Sequence, residues 1–321
     1  MICDAIWVTE YKKVEVRKHE VPAPKYGELL IQTKACGICC WDSFQFRGES
    51  GPGPYPYTLG HEATGIVAEI GDGVTEFAVG DKVACIGGKN AQMAEYFTIA
   101  TEQVAKLPAD TTDFVSSVVE PTCTVQNLLN WANINAGDHV VLVGAGYMGQ
   151  LTLMGLQVYP WGELTVFENN EARLKQIPKT MATRLLNPDS SEGKAYIETL
   201  IASGGADHVI EFSAADSGFQ LAVKVAKVEQ ARLTVGSWHR HDMTFDGTRF
   251  HIGGFDMHNV SPMTTAHYTD VLPQTMRLVK RGIYKPGTLV THVADFHDAQ
   301  EIFERSVDKK DGYVKGVITF A

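Results

Sequence analysis

The 321-residue sequence predicts an α/β protein in which a doubly wound parallel sheet is joined to a β-rich region. Three observations carry this expectation. Apolar runs separated by Gly and Pro turns fill the first third, and strands alternate with helical stretches from about Phe114. A glycine-rich turn also stands where the first alternating strand meets its helix.

In the first third, Val14–Val16, Leu29–Thr33, Thr64–Ile70, Lys82–Ile86 and Glu95–Ile99 read as strands. The Gly- and Pro-rich segment Gly48–Tyr57 reads as a loop. Val140–Val143 fits a fully buried parallel strand, followed by an apolar helix over Gln150–Val158. Leu164–Phe167, Asp207–Phe212 and Arg232–Val235 repeat the strand pattern with helices between them. An amphipathic helix near Val271–Arg281, a helix over Asp298–Val307 and a closing strand at Gly316–Phe320 complete the chain.

Composition narrows the function. Asp and Glu number 38 against 28 Lys and Arg, a net charge of −10, which argues against a nucleic-acid surface and suits small-molecule chemistry. No apolar run approaches the roughly 18 residues of a membrane span. Asp4 interrupts the apolar start, so no signal-peptide core forms and a cytoplasmic protein is expected. Six cysteines in a chain of this length do not make a disulfide framework. Three of them, Cys36, Cys39 and Cys40, crowd one segment.

Gly144-Ala145-Gly146-Tyr147-Met148-Gly149 lies between a predicted strand and a predicted helix, the context a Rossmann dinucleotide turn requires. The helix start, with Tyr147 and Met148, offers N–H groups to a pyrophosphate. Nineteen positions after Gly149, Glu168 stands where an acid binds the ribose hydroxyls. Asn169 and Asn170 follow it rather than a cation, which favours NAD over NADP. Arg173 is taken as a further cofactor contact.

Upstream, Cys36-Gly37-Ile38-Cys39-Cys40-Trp41-Asp42 precedes Gly60-His61-Glu62 by about twenty residues. Thiolate, imidazole and carboxylate are all zinc ligands, and three protein ligands leave the open position that catalysis needs. Spacing alone leaves open both a metal site and a packed histidine near a buried cysteine.

The motif order resembles the zinc-dependent medium-chain dehydrogenase/reductase family. It matches at Ala35–Asp42, Gly60–Gly71, Gly73–Val83, the Val-Val-Glu-Pro step at Val118–Pro121, Val140–Gly149 and the Thr291-His292 step. The resemblance implies a GroES-like catalytic domain from residues 1–123 and 263–321. It implies a Rossmann domain inserted over 124–262, with the active site in the cleft. It assigns Cys39, His61, Glu62 and Glu120 to one catalytic zinc and Asp42 to orienting His61. The Glu-Pro variant is nearer to sorbitol, threonine and polyol dehydrogenases than to liver-type enzymes. The implied reaction is hydride transfer from a secondary alcohol, polyol or sugar-like, to NAD, in a homodimer or homotetramer. Oxidation of a hydrophobic or aromatic alcohol, and an inactive cofactor-binding relative, are the alternative readings.

Three departures from the family pattern matter. Cys40 replaces a small residue, and Trp41 replaces the hydroxyl that usually begins a proton relay. Proton exit is then expected through water, or through Ser43 and the cofactor ribose. The four-cysteine structural-zinc loop is missing, since only Cys85 lies between Gly80 and Gln92. For the third zinc ligand, family register favours Glu120 over Cys123, which is expected to pack as a small hydrophobe. Trp238, His239 and His241 follow a predicted strand at the cofactor-facing end of the sheet. They read either as lining of a nicotinamide or substrate pocket or, by preference, as a solvated His-rich loop. His267 and Tyr268 are candidate substrate contacts.

Overall fold

The computed structural model describes residues 1–51, 53–87, 91–261 and 269–320. In chain order the first part runs β1 (Ile2–Glu10), β2 (Lys13–Glu20), β3 (Glu28–Gly37), α1 (Cys40–Phe46), β4 (Tyr57–Thr58), β5 (Ala63–Ile70), β6 (Lys82–Cys85), β7 (Tyr96–Ala100) and β8 (Val104–Lys106). Next come α2 (Glu120–Ala132), β9 (His139–Val143), α3 (Tyr147–Leu156), β10 (Glu163–Phe167), α4 (Glu171–Gln176), β11 (Arg184–Leu186) and α5 (Ser191–Ala202). β12 (His208–Glu211), α6 (Asp216–Val225), β13 (Arg232–Val235), α7 (Gly247–Gly253), β14 (Asp256–Asn259) and α8 (Val271–Lys280) follow. β15 (His292–Asp295), α9 (Ala299–Asp308) and β16 (Gly316–Thr319) end the chain.

Two compact units result. One comprises Met1–Cys123, Leu272–Arg277 and Lys285–Ala321, and the other Thr124–Val271 and Leu278–Tyr284. The residues of α8 divide between the two units.

In the first unit a seven-stranded sheet runs β15-β16-β3-β5-β6-β8, with β7 also paired to β3. β3 pairs with β16, β5 and β7, and its Leu29-Leu30-Ile31 run is buried. Beneath it, α1 packs on α9 through Phe46 and Phe303, whose ring centroids lie 5.4 Å apart. Helix α1 is short, and its first turn is fixed by reciprocal caps: Cys39 accepts at the helix start, and Asp42 Oδ2 takes the Cys39 N–H at 2.8 Å.

The second unit holds a fully parallel sheet, β11-β10-β9-β12-β13-β14. Its central strands are buried, as their unbroken apolar sequences require. The expected helix at Gln150 starts three residues earlier, at Tyr147, which brings Gly149 inside its first turn. Three short strands lack a sequence signature. β11 and β15 are brief, and β14, Asp-Met-His-Asn, is a polar, mostly exposed edge that only its pairing with β13 makes a strand.

Candidate functional site

The end of β3 and the start of α1 bring Cys39 to the same place as His61 and Glu62, which precede β5. One ligand atom from each of the three lies within 4.8 Å of the others. Among the described residues these three form the cluster, and Glu120 is not a member of it. Glu120 opens α2, is buried, and acts on His61 and Glu62 through its charge.

Asp42 organises the site from the first turn of α1. Its buried carboxylate takes the Cys39 N–H at 2.8 Å and the Gly60 N–H at 3.2 Å, and lies 3.7 Å from His61 Nδ1. It thereby holds both the cysteine and the histidine segments. Burial pushes the His61 imidazole down, but Asp42 and Cys39 outweigh it and hold the ring well above its usual range. The exposed Cys40 thiol, 3.9 Å from Cys39 Sγ, and then His61 hold the Cys39 thiol well below the ordinary range. A thiolate, an imidazole and a carboxylate so arranged are a donor set that fits zinc.

Sequence reasoning missed Lys315. Its ammonium, buried at the start of β16, donates to Glu62 Oε2 at 2.5 Å and to the Ile38 carbonyl at 3.0 Å. Burial holds the Glu62 carboxyl above the usual carboxylate range even with Lys315 beside it. A lysine 253 positions along the chain leaves no local signal beside Glu62.

Ser43 lies one turn after Cys39, its hydroxyl 3.3 Å from the Cys39 carbonyl. That hydroxyl is buried and also stands 2.8 Å from Ser306 on α9, which itself donates to the Phe303 carbonyl, so it links α1 to α9. Cys123 lies within α2, fully buried, and burial pushes its thiol up against a hydrogen bond with Thr275. It packs as a small hydrophobe, as its neighbours dictate.

In the second unit the glycine turn has the sterics a dinucleotide requires. Gly144 sits at φ +92°, where a Cβ would meet Ser213 N at 2.6 Å, and a Cβ on Gly149 would lie 2.1 Å from the Gly144 carbonyl. A Cβ on Gly146 would meet only Arg173 Nη1, at 3.9 Å. Gly146 caps α3, and the open space beside its Cα, with the Arg173 guanidinium at its edge, fits a pyrophosphate at the helix N-terminus. Tyr147 and Met148 form the first turn of α3. Glu168 stands just after β10, buried, and accepts from the Ala145 and Asn170 N–H groups, each at 2.8 Å. Arg173 Nη1 lies 3.3 Å from both of its oxygens.

Comparisons with known proteins agree with this geometry. The alcohol dehydrogenase GroES-like domain matches residues 25–109. A zinc-type alcohol dehydrogenase-like protein of Escherichia coli K12 is 26% identical over 93% of each chain. Sorbitol dehydrogenase 1 of Saccharomyces cerevisiae is 26% identical over 98% of this chain and 97% of its own. The solved alcohol dehydrogenase rspB of Escherichia coli CFT073, complexed with NADH, superposes with a TM-score of 0.86 at 20% identity over 99% of both chains. Residues 25–109 thus match the alcohol dehydrogenase GroES-like domain, and nearly the whole chain is similar to zinc-type alcohol dehydrogenases. Trp238 and His241 are exposed, whereas His239 is buried against Glu211. His267 and Tyr268 lie outside the described residues.

Proposed function

We propose that this chain is a zinc- and NAD-dependent dehydrogenase of secondary alcohols, polyol or sugar-like, interconverting them with the matching ketones. The single observation carrying this reading is the convergence of Cys39, His61 and Glu62 on one point, with Asp42 bracing two of them. Cys39 would hold the metal as a thiolate, and His61, oriented by Asp42 at Nδ1, through its other nitrogen. Glu62 would be the carboxylate ligand, and Lys315 its counter-ion. Glu120 supplies a further negative charge near His61 and Glu62, as a ligand through water or by exchange with Glu62. Bound at these residues, zinc would supply Lewis-acid polarisation of a substrate oxygen and a nicotinamide would supply the hydride acceptor.

The chain's own groups set the remainder. Gly144, Gly146, Tyr147, Met148 and Gly149 present the pyrophosphate cradle, while Glu168 and Arg173 meet the adenosine ribose. Glu168, as the ribose acid, supports NAD, while Arg173 beside it is a cation that the run Asn169-Asn170 did not announce and that offsets part of its charge. The substrate oxygen's proton would leave through water, with the Ser43 hydroxyl bonded to Ser306. Trp41, half-buried beside Cys40, would shape the substrate space.

A homodimer or homotetramer is proposed with it. The edge strand β14 exposes Met257, and Trp131, also exposed, stacks near His258 on that strand. All six cysteines are free, which suits a cytoplasmic location, and among the described residues no helix is long and apolar enough to cross a membrane.

Metal content of purified variants tests the site. The unmodified protein should carry about one zinc per chain, Cys39→Ala and His61→Ala should lose it, and Cys123→Ser should retain it. Zinc retained by Cys39→Ala would sink the assignment. An absorbance screen at 340 nm over polyols, sugars and aromatic alcohols then decides the substrate class.

A further inference from the structure

The parallel sheet changes its direction of growth between β9 and β12, and ligands of such sheets sit beyond the carboxyl ends of the strands at that point. Glu211 ends β12, directly opposite Val143 of β9, and is fully buried. Its Oε1 accepts from the Ser213 N–H at 2.6 Å, the Ser213 hydroxyl at 2.5 Å and the Ala214 N–H at 3.2 Å. Its Oε2 lies 3.0 Å from His239 Nε2. Ser213 in turn lies against the dinucleotide turn, since a Cβ at Gly144 would touch it. The His239 side chain is only 5% exposed and rests edge-on against Phe219. Its Nδ1 is buried without a hydrogen-bond partner.

A carboxylate that accepts every one of these bonds leaves His239 Nε2 as the donor, so in the neutral ring Nδ1 presents a lone pair. A buried acceptor without a donor is costly, and it is rare unless a ligand or water completes it. Glu168 marks the adenosine half of the cofactor on the β10 side of β9, which leaves β12 and β13 for the other half. We infer that His239, held by Glu211, is a binding residue for the nicotinamide half, its Nδ1 accepting a hydrogen bond from the primary amide of the ring. This rests on the dinucleotide reading above and extends it to a residue beyond the glycine turn. Phe219 and Glu211 would fix the ring so that no rotamer freedom is lost when the cofactor arrives.

The two halves of the cofactor can be tested apart. ADP-ribose carries adenosine, pyrophosphate and a terminal ribose but lacks the nicotinamide. Binding of NADH (by fluorescence) and of ADP-ribose (by calorimetry) is measured for the zinc-loaded protein, His239→Ala and His239→Phe, the last keeping the packing on Phe219. Roughly tenfold weaker NADH with unchanged ADP-ribose in both variants is expected, and the retained ADP-ribose site certifies the fold. NADH affinity that is unchanged, or that falls in step with ADP-ribose, overturns the inference. If the unmodified protein binds neither ligand, the dinucleotide reading itself has failed.

Discussion

Lys315 and Glu62 form a buried ion pair at 2.5 Å beside Cys39 and His61, and the same ammonium donates to the Ile38 carbonyl next to Cys39. The carboxylate of the metal cluster is therefore balanced by a cation of its own unit before any ion binds. Lys315→Met strands a buried carboxylate and should cost about 3–5 kcal/mol of unfolding free energy. Lys315→Met with Glu62→Gln should recover most of that loss. Denaturant midpoints measure both, and purely additive effects would mean that the pair is not coupled.

Glu168 and Arg173 set up a cofactor switch. With Glu168→Ser the guanidinium loses its carboxylate and the negative charge facing a 2′-phosphate disappears. The ratio of NADPH to NADH affinity should rise roughly tenfold or more. Adding Arg173→Ala should cancel the gain for NADPH. A protein that prefers NADP without mutation would show that Glu168 does not face the ribose.

Ser43→Ala separates structure from proton transfer. The variant leaves Ser306 without its partner across α1 and α9 and should lose about 1 kcal/mol of stability. Turnover and its pH profile should stay as they are. A displaced or flattened profile would return Ser43 to the proton path.

His208 makes stability pH-dependent. Burial lowers its imidazole to about 3, while its ring stays hydrogen-bonded to Thr234 at 2.9 Å. Between that value and the ordinary one near 6.5, the unfolded chain binds a proton that the folded chain refuses. Stability from this group is thus complete above about pH 6.5 and declines as the pH falls toward 3. His208→Gln should make the decline shallower by up to about 1.4 kcal/mol per pH unit, read from urea titrations at several pH values. Parallel curves for the two proteins would remove His208 from this account.

Much of this architecture is legible along the chain, because the information is local. The run Val140–Val143, the glycines after it and Glu168 sit within about thirty residues, as one strand–turn–helix–strand unit requires. Cys39 and His61 are readable for a similar reason, since each lies at the edge of a strand with its own turn. What stayed hidden depends on contacts between distant segments. Lys315 is one lysine before an apolar strand, and only the pairing of β16 with β3 carries it to Glu62. His239 reads as one residue of a polar loop until Glu211 and Phe219 enclose it. The bond between Ser43 and Ser306 on α9 has no local signal either, since 263 positions separate them. Strand β14 has no apolar pattern because its edge faces outward, so neighbouring β13 alone defines it.

The placement of β16 beside β3 also sets the timing of the site during synthesis. Ile38, the residue before Cys39, bonds through its N–H to Gly316 and through its carbonyl to Lys315, which lies 277 positions further on. At roughly 5–20 residues per second, the ribosome finishes that strand on the order of 14–55 s after the cysteine has been made. Through that interval the nascent chain holds a thiol, an imidazole and a carboxylate without the strand and the cation that order them. The three donors therefore reach their final arrangement only after β16 has been made and has paired with β3.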